Sequence, residues 1–577
     1  MPGLLVSLRL LRRCLRRDGA AMMAALAALT VAGSGLAALA PLFLKFVMDS
    51  AAEPDLFRAA MFALCYAAFL ALARIAGEAK AAVYGAAEQR ILRVLSCRAL
   101  SHVLQLPVGF FTARSTGYVQ QTLENGLVGY RLLLHQSLMT VGPGLLEILF
   151  LAALILIWLE SAFLIVFAGF AAAYAVIFAV CARSVFEAGR HTSAARTEAQ
   201  SQLVGSLLNQ EAIRLAVGAE TTVMQQERLL EAVEAGWRGL LRARLRAGVL
   251  MSLVMAIGLL AGLLLALGGL RAGDMSFGDL VFVQASLLQI IRPLEMLAVS
   301  LRDVGQGVAF SDQLNRLLAE PTEATASSSD LAGGASAPAA IRFEKVGLFH
   351  AGGGGGVKDV SFCLPAGCKA GIVGLSGSGK STLLRLLTRL QDPSEGRILL
   401  DGEAIADQAV DNVRQRMTFI LQEGGLLDAD LEMNIVFPNE DVDLENLSRA
   451  IAASGLGPTI DRMPDGLGTR IGERGTRLSG GERQRVLIAR ALYRNSGTLL
   501  ADEPGSALDA PSRAQILRGL FDRSKTRTVL LVSHRLAEVA EADVILVMQE
   551  GRLIEQGTHA ELLEKQGHYA WLWRRQT

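Results

Sequence analysis

Two regimes of apolar patterning divide the chain. Through the first three hundred residues Leu, Ala and Val dominate and charges are sparse, whereas the last 240 read like a soluble protein. A helix needs about 20 apolar residues to cross a bilayer's hydrocarbon. Six stretches qualify, roughly 19 to 48, 57 to 80, 135 to 158, 161 to 182, 247 to 270 and 278 to 301. Segments 81 to 134 and 183 to 246 carry Arg, Glu and Gln at helical spacing with little Pro, which predicts long helices projecting into water on one side. The apolar run from Gly19 to Met48 exceeds the roughly 7 to 15 residues of a signal peptide's apolar core. It reads as a spanning helix behind the basic anchor of Arg9, Arg12, Arg13, Arg16 and Arg17.

Lys and Arg gather on the cytoplasmic side of membrane helices. The short connections, 49 to 58, around Glu160 and 271 to 277, hold Asp49, Glu53, Asp55, Glu160 and Asp274 against Arg58 and Arg271, so they face outward. The long connections carry Arg90, Arg93, Arg98 and Arg114 in one case and Arg183, Arg190, Arg196, Arg238, Arg242, Arg244 and Arg246 in the other. Both are therefore cytoplasmic, as are both termini.

At 577 residues the chain is too long for one core. Residues 320 to 340, rich in Ser, Ala, Gly and Pro without periodicity, read as a linker. The expected division is a membrane domain over 1–319, the linker over 320–340 and a soluble domain over 341–577. A net charge of +1 gives no basic surface for nucleic acid. The six cysteines never form a C-x-x-C pair, so neither a disulfide framework nor a zinc site is implied.

Candidate chemistry lies in the soluble part. Residues 369 to 387, KAGIVGLSGSGKSTLLRLL, give an apolar strand, a glycine-rich turn and an amphipathic helix, the context a G-x-x-x-x-G-K-[ST] match requires. Gly374, Gly377 and Gly379 let the backbone curl so that its N–H groups cradle phosphate at a helix N-terminus. Ser376, Ser378 and Thr382 complete the candidate ATP-binding set, Lys380 reaches the β- and γ-phosphates, and Ser381 holds Mg2+. A second strand, TLLADE over 498 to 503, ends in two acids. Asp502 is placed for the magnesium shell and Glu503 to polarise an attacking water.

Between these motifs lies LSGGERQR, Leu478 to Arg485. With it the chain resembles an ABC transporter of the exporter type, over essentially its whole length. The resemblance implies an all-α six-helix transmembrane domain of the type I exporter fold followed by an α/β P-loop domain. It implies that Ser479, Gly480 and Gly481 cap ATP held by a partner subunit, so that the chain works as a dimer, most simply with a second copy of itself. Gln422, after MTFIL, is similar to the family's Q-loop glutamine, which senses the γ-phosphate and reaches magnesium. SALD, Ser506 to Asp509, resembles the D-loop, and His534 in LLVSHR resembles the switch histidine. Residues 105 to 118 and 206 to 219 occupy the places of the family's two coupling loops. Two positions depart from the pattern: His350 stands where a Tyr usually stacks on adenine, and Pro504 follows the catalytic glutamate where Ala is usual.

Cargo is less determined. The SLLN and LLEIL stretches resemble exporters of glutathione-linked and heavy-metal compounds, in which two arginines four residues apart meet glutathione carboxylates; here those places hold Gln121 and Asn125. TGYVQQTLENG also looks like the matching segment of microcin and lasso-peptide exporters, and a polar cavity lined by Gln121, Asn125, Asn209 and Gln210 suits a small processed peptide. Export of such a peptide is the first expectation; a glutathione-linked or heavy-metal cargo, or lipid flipping, is the alternative. Glu147, ionisable within the third span, is by default a functional candidate, with a structural pairing as the equal alternative, and is not counted among the ligands. An intact Glu503, His534 and signature argue against a non-transporting regulator or channel. The expected setting is a bacterial inner membrane, multi-pass and in contact with lipid, with the ATP-binding domain in the cytoplasm.

Overall fold

The computed structural model describes residues 19–576 apart from 52–55, 115, 160, 324–336, 350–355, 423, 440, 473–474 and 523–526. The basic N-terminal anchor, most of the linker and His350 lie outside the described residues. The chain divides into two units, Met1–Leu104 with Thr116–Glu320, and Gln105–Ser115 with Pro321–Thr577.

In the first unit the elements are α1 (Gly19–Ala51), α2 (Leu56–Leu104), then, past the short α3 (Val108–Ala113) of the second unit, α4 (Thr116–His135), α5 (Gly142–Trp158), α6 (Ser161–Leu208), α7 (Gln210–Leu215), α8 (Ala219–Ala272) and α9 (Phe277–Leu317). Among the described residues six helices are long and apolar enough to cross a membrane. At 49, 48 and 54 residues, α2, α6 and α8 reach about 70 to 80 Å at 1.5 Å per residue, far beyond a hydrocarbon core of about 30 Å. Their polar ends therefore stand in water. The polar stretches are broken where the coupling loops were expected: α2 stops at Leu104 before α3, and α6 stops at Leu208 before α7.

Packing inside this unit follows membrane rules, in which small residues let backbones approach. A Cβ on Gly258 of α8 would press on the Phe170 ring of α6, so only glycine permits this crossing. Phe163, Phe167, Phe170 and Tyr174 of α6 bury against Leu151, Ile155, Val283, Leu287 and Ile290. Leu149, Ile157, Ile165 and Val180 stand exposed, an apolar surface matched to lipid. Between α4 and α5 the chain makes a π-turn, Gln136–Val141. There the buried Gln136 donates to Asp303 (2.8 Å) and accepts from the Ser300 hydroxyl (2.9 Å), a polar bridge to α9. Glu147 accepts from Gln289 Nε2 (3.0 Å), so the acid is paired within the unit.

The second unit contains two sheets. β1 (Ile341–Phe349), β2 (Gly356–Leu364), β4 (Glu395–Leu400) and β5 (Glu403–Ala404) form an antiparallel sheet in the order β2-β1-β4-β5. β3 (Lys369–Val373), β6 (Met417–Ile420), β7 (Thr498–Asp502), β8 (Thr528–Val532), β9 (Val544–Gln549) and β10 (Arg552–Gly557) form the other, in the order β10-β9-β3-β8-β7-β6. Its pairings from β9 through β6 are parallel. TLLAD and TVLLV are buried at every position, as strands covered on both faces must be. The helices used below are α10 (Lys380–Leu387), α11 (Val410–Gln415), α12 (Gly480–Arg494), α13 (Ala510–Asp522) and α14 (His568–Gln576). In such a sheet ligands collect at the carboxyl ends of the strands, and β3, β7 and β8 place Gly374, Glu503 and Ser533 there.

Candidate nucleotide site

The loop from β3 to α10 curls through Gly374 (φ +152°), Gly377 (φ +78°) and Gly379 (φ +97°). A Cβ on Gly374 would collide with the Met548 carbonyl, so this curl tolerates no side chain there. The Lys380 ammonium folds back over the loop, donating to the carbonyls of Gly374 (3.0 Å) and Leu375 (2.9 Å). Burial pulls its pKa down, opposed by the nearby Glu503 and Asp502 carboxylates. Ser378 Oγ is buried with no hydrogen-bond partner among the described residues, and it lies next to Gly374 of the same loop. Such an atom fits a phosphate oxygen.

Asp502, the last residue of β7, is 6% exposed, and burial pushes its carboxyl up while a hydrogen bond from Ser381 pulls it down. Ser381 and Asp502, brought together here, offer hydroxyl and carboxylate oxygens, while the Gln422 amide nitrogen is tied to the neighbouring Glu503. This all-oxygen set suits a hard cation such as Mg2+.

Glu503 holds a left-handed backbone (φ +49°), with its N–H donating to Val532 (3.0 Å). Its Oε2 accepts from Gln422 Nε2 (3.0 Å) and lies 3.4 Å from His534 Nδ1. The three candidate catalytic residues, from the ends of β6, β7 and β8, thus meet at one carboxylate oxygen. Nothing in the structure explains Pro504.

Ser479 caps α12 in a reciprocal box. Its hydroxyl accepts from the Glu482 N–H (3.3 Å), and the Glu482 carboxylate accepts from the Ser479 N–H (3.0 Å) and hydroxyl (2.8 Å). These bonds from Ser479 hold the Glu482 carboxyl below its usual range. Gly480 stands exposed and Gly481 half-buried against Ala507 of the SALD turn.

Two functional residues escaped the sequence reading. Gln484 is 4% exposed, and its amide donates to the Glu503 carbonyl (3.1 Å) while accepting from the Ala507 N–H (2.8 Å). It ties the signature helix to both ends of the turn that carries Glu503. The signal was present, since Gln484 lies inside LSGGERQR. Gln576 in α14 donates to the His534 carbonyl (2.6 Å) and accepts from the Leu536 N–H (2.9 Å), so its side chain brackets the switch loop. No local pattern marks it. Gln484→Leu keeps the volume but releases the turn. It is expected to lower kcat for ATP about ten- to a hundredfold with little change in KM, read by steady-state hydrolysis.

In the membrane unit Gln121 is exposed and Asn125 half-buried, one turn apart on α4. Asn209, the third polar residue expected at a cargo cavity, lies further along the chain. It stands exposed at the break between α6 and α7, where its amide donates to the Gly205 carbonyl (2.8 Å) and finishes a helix end. Where the first coupling loop is expected, Phe110 and Phe111 meet edge-to-face (5.5 Å), with Arg114 over the Phe110 ring (4.8 Å).

Comparison with known proteins agrees with this geometry. Residues 23–294 match the family described as ABC transporter transmembrane region, and residues 357–506 match ABC transporter. The chain is 32% identical over 546 residues to the ATM1-type heavy metal exporter of Novosphingobium aromaticivorans, covering 92% of this chain and 87% of that protein. It is 32% identical over 503 residues to the mitochondrial iron-sulfur clusters transporter ABCB7 of Oryzias latipes, covering 86% and 67%. A solved structure described as a bacterial Atm1-family ABC exporter with ATP bound superimposes with a TM-score of 0.85 at 28% identity, over 98% of each chain.

Proposed function

This chain belongs to the ABC transporters, as an exporter-type half-transporter of the type I fold that joins membrane and ATP-hydrolysing domains in one polypeptide, and on that footing we propose that its cargo is a thiol-ligated metal or iron–sulfur compound, anionic as glutathione conjugates are. Its relatives above are named for heavy metals and iron–sulfur clusters. They favour the alternative drawn from the sequence over the processed peptide expected first. The physical support is in the membrane unit, where Lys80 and Arg292 act electrostatically on Glu147 beside Gln289. Arg292 stands exposed on α9, and in this reading it supplies the charge that Gln121 and Asn125 lack.

In the cycle we propose, two copies of the chain bind ATP between the P-loop of one and the Ser479–Gly481 signature of the other. Lys380 and the loop N–H groups would hold the phosphates, Ser381, Asp502 and Gln422 would hold Mg2+, and Glu503 would take up the proton of the attacking water with His534 at its shoulder. Magnesium, when bound, would supply neutralisation of the negative charge on the β- and γ-phosphates. Closure and release of the ATP-binding domains drive alternating access of the membrane domains. We place the transporter in a bacterial inner membrane with these domains in the cytoplasm.

ATP hydrolysis in lipid nanodiscs tests the cargo. A mercury(II)–glutathione thiolate complex and oxidised glutathione are expected to raise turnover severalfold, while a lasso peptide leaves it unchanged. Arg292→Gln is expected to raise the half-activating concentration about tenfold, the cost of one charge-assisted hydrogen bond. Activation by the peptide alone would overturn the assignment.

A further inference from the structure

Both helices that begin at the nucleotide motifs end against one arginine outside those motifs. Arg414, in α11, donates from Nε to the Thr388 carbonyl (3.1 Å) and from Nη2 to the Arg389 carbonyl (2.9 Å). Thr388 is the C-cap of α10, whose other end carries Lys380. The Arg414 carbonyl accepts from Nη2 of Arg494 (2.8 Å), the last residue of α12, whose other end is capped by Ser479. Spanning about 12 Å and 22 Å at 1.5 Å per residue, these helices connect the phosphate-facing motifs to a common point.

The remaining side of the Arg414 guanidinium holds Glu323 in a two-pronged ion pair, Nη1 to Oε2 at 2.8 Å and Nη2 to Oε1 at 3.2 Å. The side chains are 31% and 15% exposed, so water screens this pair less than a surface pair. The Glu323 N–H donates to the carbonyl of Gln105 (2.9 Å). Gln105 immediately follows α2, and Glu323 follows α9 by six residues. Just before those points the two helices are themselves joined, His102 Nε2 lying 3.0 Å from the Leu317 carbonyl.

Four bonds to backbone carbonyls and a carboxylate would be more than a local staple needs. The carbonyls already fix α11 to α10 and α12; what the carboxylate adds is attachment of the polypeptide leaving α9, and through Gln105 of that leaving α2. We propose that the Glu323–Arg414 pair is a transmission link, by which displacement of α10 and α12 on nucleotide binding and release reaches the cytoplasmic ends of α2 and α9, in parallel with the coupling loops. A connection of this kind carries coupling because its two ends are rigid helices and its middle is a short, directional ion pair. The link depends on the ATP-driven cycle and is indifferent to which cargo is carried.

Hydrogen exchange of the full-length protein in nanodiscs tests it without any cargo, comparing nucleotide-free protein with protein trapped by ATP, Mg2+ and vanadate. The native chain is expected to change protection both in α12 and at the ends of α2 (95–104) and α9 (305–317). Glu323→Ala leaves Arg414 and its carbonyl bonds in place, and is expected to keep the α12 response while losing the response at both helix ends. Glu323→Gln, which retains a neutral acceptor, is expected to fall between. An unaltered response at the helix ends in Glu323→Ala overturns the proposal. So does loss of the α12 response in that variant, which would make the pair a support of the ATP-binding domain, and so does a native chain whose helix ends never respond.

Discussion

Glu503→Gln will hydrolyse ATP about a hundred- to ten-thousandfold more slowly than the native chain, the usual contribution of a positioned general base. The substitution is close to isosteric. Its amide can still meet Gln422, which lies 3.0 Å from Oε2, and His534 at 3.4 Å. The backbone that sets the residue's position, with its N–H on Val532 and its carbonyl on Gln484, is untouched. What is lost is the negative charge that accepts a proton from water. Nucleotide binding should therefore persist, and the variant should accumulate with ATP bound. Radiolabelled ATP retention and phosphate release, measured on the same preparation, separate the two. Undiminished hydrolysis would mean that the base lies elsewhere.

The second large effect is on binding. Lys380→Ala removes a buried ammonium that now spans the Gly374 and Leu375 carbonyls and would turn to the β- and γ-phosphates. Hydrogen bonds to charged groups contribute about 1.5 to 3 kcal/mol, so affinity for ATP with magnesium should fall about ten- to a hundredfold. Lys380→Arg is not expected to restore it. The planar guanidinium cannot reproduce a compact point charge in a site only 8% exposed. Titration calorimetry with the hydrolysis-deficient Glu503→Gln background reads this directly, and equal affinity in both variants would remove Lys380 from the phosphate site.

Much of the candidate site was readable because its residues cluster in short strings. Gly374 to Thr382 form one loop and the start of one helix, and backbone geometry over nine residues is a local matter. Asp502 and Glu503 end an apolar strand, and LSGGERQR opens an amphipathic helix. Gln422 and His534 are singled out only through family resemblance, and their meeting with Glu503 is not legible in the sequence, because the three residues lie on three strands far apart along the chain. Only the parallel order β8-β7-β6 sets them side by side. Gln576 illustrates the opposite case. Glutamine in a helix carries no signal until that helix packs beside the switch loop, so a sequence reading had no ground on which to single it out.

Asn209 shows what local structure adds to composition. A polar residue near a membrane helix reads as cavity lining, and the break between α6 and α7 also gives it a helix end to complete, a local need that Asn commonly meets. Membrane spans were the reverse: length and apolarity are properties of the chain itself in hydrocarbon, where every backbone group must be satisfied within its own helix.

The sequence by itself therefore determined the six spans and the order of the nucleotide motifs, since each rests on local apolar length or a contiguous loop. Tertiary structure alone decided that one oxygen of Glu503 receives both Gln422 and His534, that Gln484 ties the signature helix to the turn holding that glutamate, and that Arg414 joins two helix ends to Glu323. The physical reason is common to all three. Hydrogen bonds and ion pairs act over about 3 Å, and residues separated by 19 to 91 positions come within that distance only when sheets and helices have packed.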